Sequence, residues 1–313
     1  MNEPFDTLAF ESPGRICAGT ILCPDLAASE ADYRDILGLA LVDDRPVSGA
    51  LAASWGAPAM AGRACRLLRA ENGTPYLTRL VEGSAVAGHR PLRSFGWAAY
   101  EHTVMDCEAL FARMPHTSPS GSGFTVIGPP KRVPGFDNFI PFQVTGRAGE
   151  VLYLNQVLQS RMTGLDLPRT RATMDQMFIA VLAAADREAT LAFHRDVLGF
   201  GEGETWTIPY SVINNSFGMP SDTVTAMTMT CTGRMPACEI DQYPAAATPR
   251  ATTPGELPPG NAMVSFITDR FEATAPHWLG PAVRIDNDLY QGRRAATVRG
   301  PAGELIELIE MTA

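Results

Sequence analysis

A stretch of fourteen residues occurs twice in this chain, and the duplication limits the fold more than any other feature. Asp25–Gly38 lies over Asp186–Gly199 at a constant offset of 161 residues, with Asp, Ala, Ala, Arg, Asp, Leu and Gly identical between the copies. A second echo sets Ala148–Leu154 over Ala302–Leu308 at an offset of 154. Ungapped agreement of this kind marks a repeated structural unit rather than one continuous irregular domain. The 313 residues are therefore read as two related halves, an N-terminal domain over 1–158 and a C-terminal domain over 174–313, joined where Arg, Thr, Pro and Gly collect.

Each half resolves into smaller units. Ile16–Cys23 is rich in small, Cys and β-branched residues and runs into Pro24-Asp25, which suits a strand ending at a turn. Ala28, Ala31, Tyr33, Ile36 and Leu37 then recur at helical spacing, and Gly38 stands where a left-handed residue closes the helix. Cys65–Arg69 and Tyr76–Val81 are strands about an Asn72-Gly73 turn. Trp97–Val104 and Asp106–Met114 start a second strand and helix, followed by strands at Phe124–Val126, Phe139–Val144 and Val151–Leu154. The second half repeats the order from Phe178–Ala184 to Leu305–Ile309, with a helix expected over Asp269–Ala275. Four strand-helix-strands modules make the chain.

Composition narrows the function. Net charge is −9 and Lys131 is the only lysine, whereas a nucleic-acid-binding face concentrates Lys and Arg, so no nucleic-acid partner is expected. The longest apolar runs, such as Met177–Ala185, fall well short of the roughly 20 residues of a membrane helix. Met1–Asp6 carries acids where a secretory leader carries bases, so a cytoplasmic protein without a membrane partner is expected. The six cysteines show no zinc spacing and are read as reduced, buried small hydrophobes. Gly121-Ser122-Gly123 does not link a strand to a helix, and no phosphate-binding or serine-nucleophile motif occurs.

The pattern Asp-Leu-x-x-Ser-x-x-x-Tyr-x-Asp-x-Leu-Gly at 25–38, Trp55-Gly56-Ala57-Pro58, and the closing Gly303-Glu-Leu-Ile-Glu-Leu308 resemble the vicinal oxygen chelate superfamily. That superfamily includes glyoxalase I, extradiol dioxygenases and bleomycin-resistance proteins. The resemblance runs from about Arg15 to Met311 and implies an α+β fold of paired βαβββ modules, forming two half-open barrel domains of mixed sheet with the site on an inward face. It also implies where a metal would be held: by a first-strand residue seven before the helix-starting Asp, and by a last-strand Glu. The first-strand seats hold Ala18, Ala99, Ile179 and Ala262, which cannot coordinate a cation. The last-strand seats hold Glu82, Tyr153, Glu239 or Asp241, and Glu307.

No metal or other cofactor is therefore expected. Glu307 has two readings: the expected catalytic residue, a carboxylate whose pKa burial would raise until it served as a general base, or a family relic hydrogen-bonded to a neighbour such as an arginine. Trp206, Tyr210 and Asn214, with Asn215 beside them, are expected to clamp a flat, weakly polar ligand near Glu239 and Asp241 in the C-terminal domain. His194 is read as packing behind the sheet. His102 is read as facing away from the ligand seats, with Glu101 rather than His102 sharing the inward face with Ala99. His89, His116 and His277 show no ligand spacing. The functional expectation is a metal-independent isomerase or lyase, or a binding protein without turnover, for a small apolar or aromatic metabolite, with a homodimer as the assembly considered. The alternative is an extradiol-type dioxygenase using iron or manganese.

Overall fold

The computed structural model describes residues 12–114, 123–132, 137–161 and 164–311. Gly121-Ser122 and His116 lie outside them. The first module holds β1 (Ile16–Cys23), α1 (Leu26–Asp35), β2 (Leu39–Asp43), α2 (Gly49–Ser54), β3 (Cys65–Ala70) and β4 (Leu77–Glu82). The second holds β5 (Gly96–Val104), α3 (Cys107–Arg113), β6 (Thr125–Gly128), β7 (Phe139–Thr145) and β8 (Val151–Val157). The third holds β9 (Met174–Ala184), α4 (Arg187–Phe193), β10 (Gly201–Pro209), α5 (Ser211–Phe217), β11 (Val224–Thr232) and β12 (Met235–Gln242). The fourth holds β13 (Gly260–Thr268), β14 (Val283–Arg284), β15 (Arg294–Arg299) and β16 (Leu305–Glu310).

The repeated Asp has a local cause. Asp25, Asp106 and Asp186 each stop a strand and accept the amide of the residue three places on, at 3.0 Å, satisfying a donor that the first helical turn leaves free. The Gly at the end of the repeat is required by backbone geometry, since Gly38 and Gly199 have φ of 75° and 81°. The fourth module departs from expectation. Where a helix over Asp269–Ala275 was expected, a short 3-10 turn spans Glu272–His277, entered with no side-chain cap and containing Pro276.

The strands form two eight-stranded sheets, ordered β14-β15-β16-β13-β1-β4-β3-β2 and β10-β11-β12-β9-β5-β8-β7-β6. Neither sheet closes on itself. Their order corrects the expected division into domains over 1–158 and 174–313: the halves do not each form a barrel. β1 pairs antiparallel with β13, so the first and fourth modules share one barrel, while β5 pairs with β9 and joins the second and third. A duplication shows which segments are equivalent but not which first strands meet. The connections from β4 to β5 and from β12 to β13 cross between the barrels.

The barrels are fastened where β1 and β13 meet β5. Tyr100 Oη donates to the carbonyls of Thr20 and Met263 at 2.9 and 3.0 Å, and Trp97 Nε1 donates to Leu305 O at 2.8 Å. Beside them Gly260 has φ of +68°, and a Cβ there would lie 2.8 Å from the Gly149 carbonyl oxygen. Gly260→Ala is expected to destabilise the fold by about 1–3 kcal/mol through left-handed strain and backbone collision, measured as the shift of the urea midpoint; an unchanged midpoint would refute it. Among the described residues all six cysteines are buried free thiols, and no helix is long and apolar enough to cross a membrane.

Candidate functional site

The two barrels have opposite interiors. In the first-and-fourth-module barrel the inward face is filled by a buried ion pair. Arg79, on β4, is 1% exposed and places Nη2 3.0 Å from Glu307 Oε2, on β16. The carboxylate also accepts Trp55 Nε1 at 2.8 Å, Tyr290 Oη at 2.7 Å and Ser265 Oγ at 2.5 Å. The guanidinium donates to Thr20 Oγ1 at 2.8 Å and Tyr290 Oη at 2.6 Å and lies 4.7 Å from the Trp55 ring centroid. Trp55-Gly-Ala-Pro58 thus brings an indole over the pair.

Of the two readings of Glu307, the arrangement contradicts the raised general base and matches the carboxylate held by an arginine. Burial alone would raise its pKa, but the Arg79 charge and the hydrogen bonds from Ser265, Trp55 and Tyr290 outweigh burial and hold it below the ordinary value. The sequence reading omitted Arg79 as a partner because its position had been assigned to Glu82. Arg79, not Glu82, pairs with inward-facing Thr20 in the parallel β1–β4 register, and Glu82 sits at the strand end, near the Ala64 amide.

The second-and-third-module barrel is open. It contains a cavity of about 350 Å³, walled by Phe139, Phe178, Trp206, Leu167, Met227 and Met229, with Lys131 and Arg132 also lining it. Tyr153, Tyr210, Glu101, Asn155 and Glu239 face the same space. The expected trio of Trp206, Tyr210 and Glu239 is therefore brought together, with Tyr210 Oη donating to Glu239 Oε1 at 3.1 Å. Trp206 lies on β10 and Tyr210 caps α5, elements the sequence reading had left as an undivided segment. Asn214 does not join them. Its amide is turned inward to donate to the carbonyls of Ser221 and Thr223 at 3.3 and 2.8 Å, pinning the turn after α5, and Asn215 is exposed.

Three carboxyls gather in this barrel. Glu101 of β5 accepts Asn155 Nδ2 at 3.1 Å, and Glu239 and Asp241 follow each other on the same face of β12. Asp241 is fully buried, and neither of its oxygens meets an N–H or O–H donor among the described residues. The group that can satisfy it is the Glu239 carboxyl, and two carboxyls hydrogen-bond only if one carries a proton. Burial raises Glu101, with the Glu239 charge adding to it, and raises Asp241, with Glu239 and Glu101 adding to it. Burial pushes Glu239 up to about 7, against the hydrogen bonds from Tyr210 and Asp241. Glu101 is the site residue that sequence analysis placed on the inward face without assigning it a role.

The histidines lie elsewhere. His102 Nδ1 is 2.8 Å from Asp175 O, and burial lowers its pKa to about 4. His194 is fully buried 3.5 Å from Glu304. The first-strand seats Ala18, Ala99, Ile179 and Ala262 are all buried, and among the described residues no set of three His, Cys, Asp or Glu side chains converges to hold a metal. Two protonated-leaning carboxyls and an amide, with Ile179 and Ala99 between them, do not fit iron or zinc, which need nitrogen or ionised oxygen donors together.

Comparison with solved structures places this architecture. Glyoxalase I from Zea mays superposes with a TM-score of 0.62 at 14% identity, covering 95% of this chain and 92% of that one. A protein from Bacillus subtilis strain 168 that is provisionally named a dioxygenase superposes with a TM-score of 0.60 at 12% identity, covering 96% and 86%. The chain has the vicinal oxygen chelate fold. No family model matches its sequence, and no curated protein matches it. At these identities the likeness is one of fold, and what the vicinal oxygen chelate barrels do here depends on their own side chains.

Proposed function

We propose that the protein binds a small, flat, largely apolar molecule in the barrel of the second and third modules and moves a proton on it without a metal, as an isomerase or lyase. The observation that carries this reading is one carboxyl, Glu239, pushed up to about 7 at the wall of an aromatic-lined cavity. A carboxyl that titrates near neutrality both accepts and returns a proton efficiently. In an isomerisation Glu239 takes a proton from one atom of the bound molecule and returns it to another, so the carboxyl ends as it began. Tyr210 Oη, donating to Glu239, holds the carboxyl toward the cavity. Glu307 has no part in this step: it belongs to the other barrel and its oxygens are already engaged.

Trp206 supplies the flat wall of the site and is half-buried. Trp206→Ala is expected to weaken binding of a small aromatic probe such as benzamide by about 10- to 100-fold, as truncating a large aromatic anchor does. The melting temperature is expected to stay within a few degrees. Calorimetric titration with benzamide measures the first and thermal unfolding the second; unchanged affinity would remove the cavity as the site. Metal analysis bears on the alternative. Stoichiometric iron or manganese, lost on chelation together with turnover, would replace the proton-transfer reading with ring cleavage.

A further inference from the structure

Position for position, the two barrels differ in charge, and the difference identifies what the open one takes. Thr20 and Val181 are equivalent at the repeat offset of 161 residues, and they pair with Arg79 and Glu239 respectively. Ala18 and Ile179 are equivalent by the same offset, and they pair with Ser265 and Glu101. Ser265 in turn pairs with Glu307, and Glu101 with Tyr153. Glu239 therefore stands in the place of Arg79, Glu101 in that of Ser265 and Tyr153 in that of Glu307.

The closed barrel is electrically complete. It holds the Arg79 guanidinium against the Glu307 carboxylate, with the hydroxyls of Thr20, Ser265 and Tyr290 bonded to the pair, an indole face against the cation, and the buried Arg293 donating to the Tyr290 carbonyl nearby. The open barrel has the same kinds of group with no cation against its carboxyls: carboxyls from Glu101 and Glu239, phenols from Tyr153 and Tyr210, an indole from Trp206, and Asp241 behind them, while Lys131 and Arg132 line the cavity without an ion pair to these carboxyls among the described residues. Among the described residues none of its three carboxyls meets an Arg or Lys side chain. Lys131, at the cavity, is exposed and donates to Ser211 Oγ at 2.8 Å. Buried carboxyls crowded together without a positive charge are an unfavourable arrangement that a bound cation relieves.

We propose that the ligand supplies the missing charge: the open barrel takes a small aromatic molecule bearing one protonated nitrogen, an amine, amidine or guanidine, seated between Glu101 and Glu239 with its ring against Trp206. Arg79 is the internal copy of such a group, held by a carboxylate and stacked on Trp55. This inference rests on the reading of the cavity as a ligand site. It also bears on the proton transfer, because a cation beside Glu239 raises the fraction of the carboxyl that is ionised while making the carboxylate a weaker base.

The test is calorimetric titration of the full-length protein with benzamidine, benzamide and benzoate at pH 7, in two buffers of different ionisation enthalpy. Benzamidine is expected to bind at least about tenfold more tightly than benzamide and to release a proton, seen as a buffer-dependent heat. Glu239→Gln is expected to remove most of the preference for benzamidine over benzamide. If benzamide or benzoate binds as tightly as benzamidine, the cation inference is overturned and the aromatic cavity stands. If none of the three binds, the cavity is no site for small aromatics, and the proposed function falls with the inference.

Discussion

Arg79→Leu is expected to cost about 3–5 kcal/mol of stability at pH 7, because it leaves the Glu307 carboxylate buried with no counter-charge. Arg79 and Glu307 are each 1% exposed, so the lost partner can be replaced only by water entering the cavity of about 180 Å³ that Arg79 and Tyr290 border. The contribution of Glu307 to the pH dependence is expected to change sign. In the native protein the folded-state pKa of Glu307 lies below its ordinary 4.5, so its contribution is present above that value and is lost as pH falls through the folded value. Without Arg79, burial is the dominant influence and raises the folded value, so acidification stabilises the variant through uptake of the proton. Arg79→Leu/Glu307→Leu is expected to recover much of the loss, since replacing both members of a buried pair leaves no orphaned charge. Urea unfolding of the three proteins between pH 4 and 8 measures this; a loss below about 1 kcal/mol in Arg79→Leu would show that the hydrogen bonds from Trp55, Ser265 and Tyr290 carry Glu307 unaided.

Local structure was legible in the sequence because it is written in local chemistry. In the two copies of the repeat the capping Asp and closing Gly state where the helical segment starts and stops, and β1 occupies the expected Ile16–Cys23. The pairing of modules was not legible, because β1 and β13 are separated by more than two hundred residues and nothing in either strand names the other. The site was half legible for the same reason. Trp206, Tyr210 and Glu239 come from one stretch of chain, the third module, and were found together. Glu101 and Asn155 reach the same cavity from the second module and could not be joined to them without knowing that β5 pairs with β9. Arg79 and Glu307 face each other across 228 residues, so the ionisation state of Glu307 could not be inferred from its apolar neighbours in sequence.

The open barrel should behave in the opposite way to the closed one, and Glu239 is where the two consequences meet. Folded-state pKa values of Glu101, Glu239 and Asp241 are raised, so between the ordinary values of 3.8 and 4.5 and the folded ones the folded chain binds more protons than the unfolded. Stability therefore falls as pH rises through that window, which for Glu239 extends to about 7. Asp241→Asn keeps the shape of the protonated acid and removes its titration. It is expected to match the native protein at pH 5 and to be the more stable of the two at pH 8. Glu239→Gln should flatten the same profile without unfolding the barrel, since the amide can still accept from Tyr210 and can donate to Asp241. Turnover separates the two variants. A general acid or base contributes about 10²- to 10⁴-fold, so Glu239→Gln is expected to lose that factor in kcat with little change in ligand affinity for a neutral substrate analogue. Asp241→Asn acts on the reaction through its neighbour and is expected to shift the pH optimum upward, because the Asp241 hydrogen bond holds Glu239 down and an amide donates more weakly than a carboxylic acid. A stability profile that rises from pH 5 to pH 8 in the native protein would mean that the three carboxyls are ionised and paired with a cation in solution, and the proton chemistry assigned to Glu239 would have no basis.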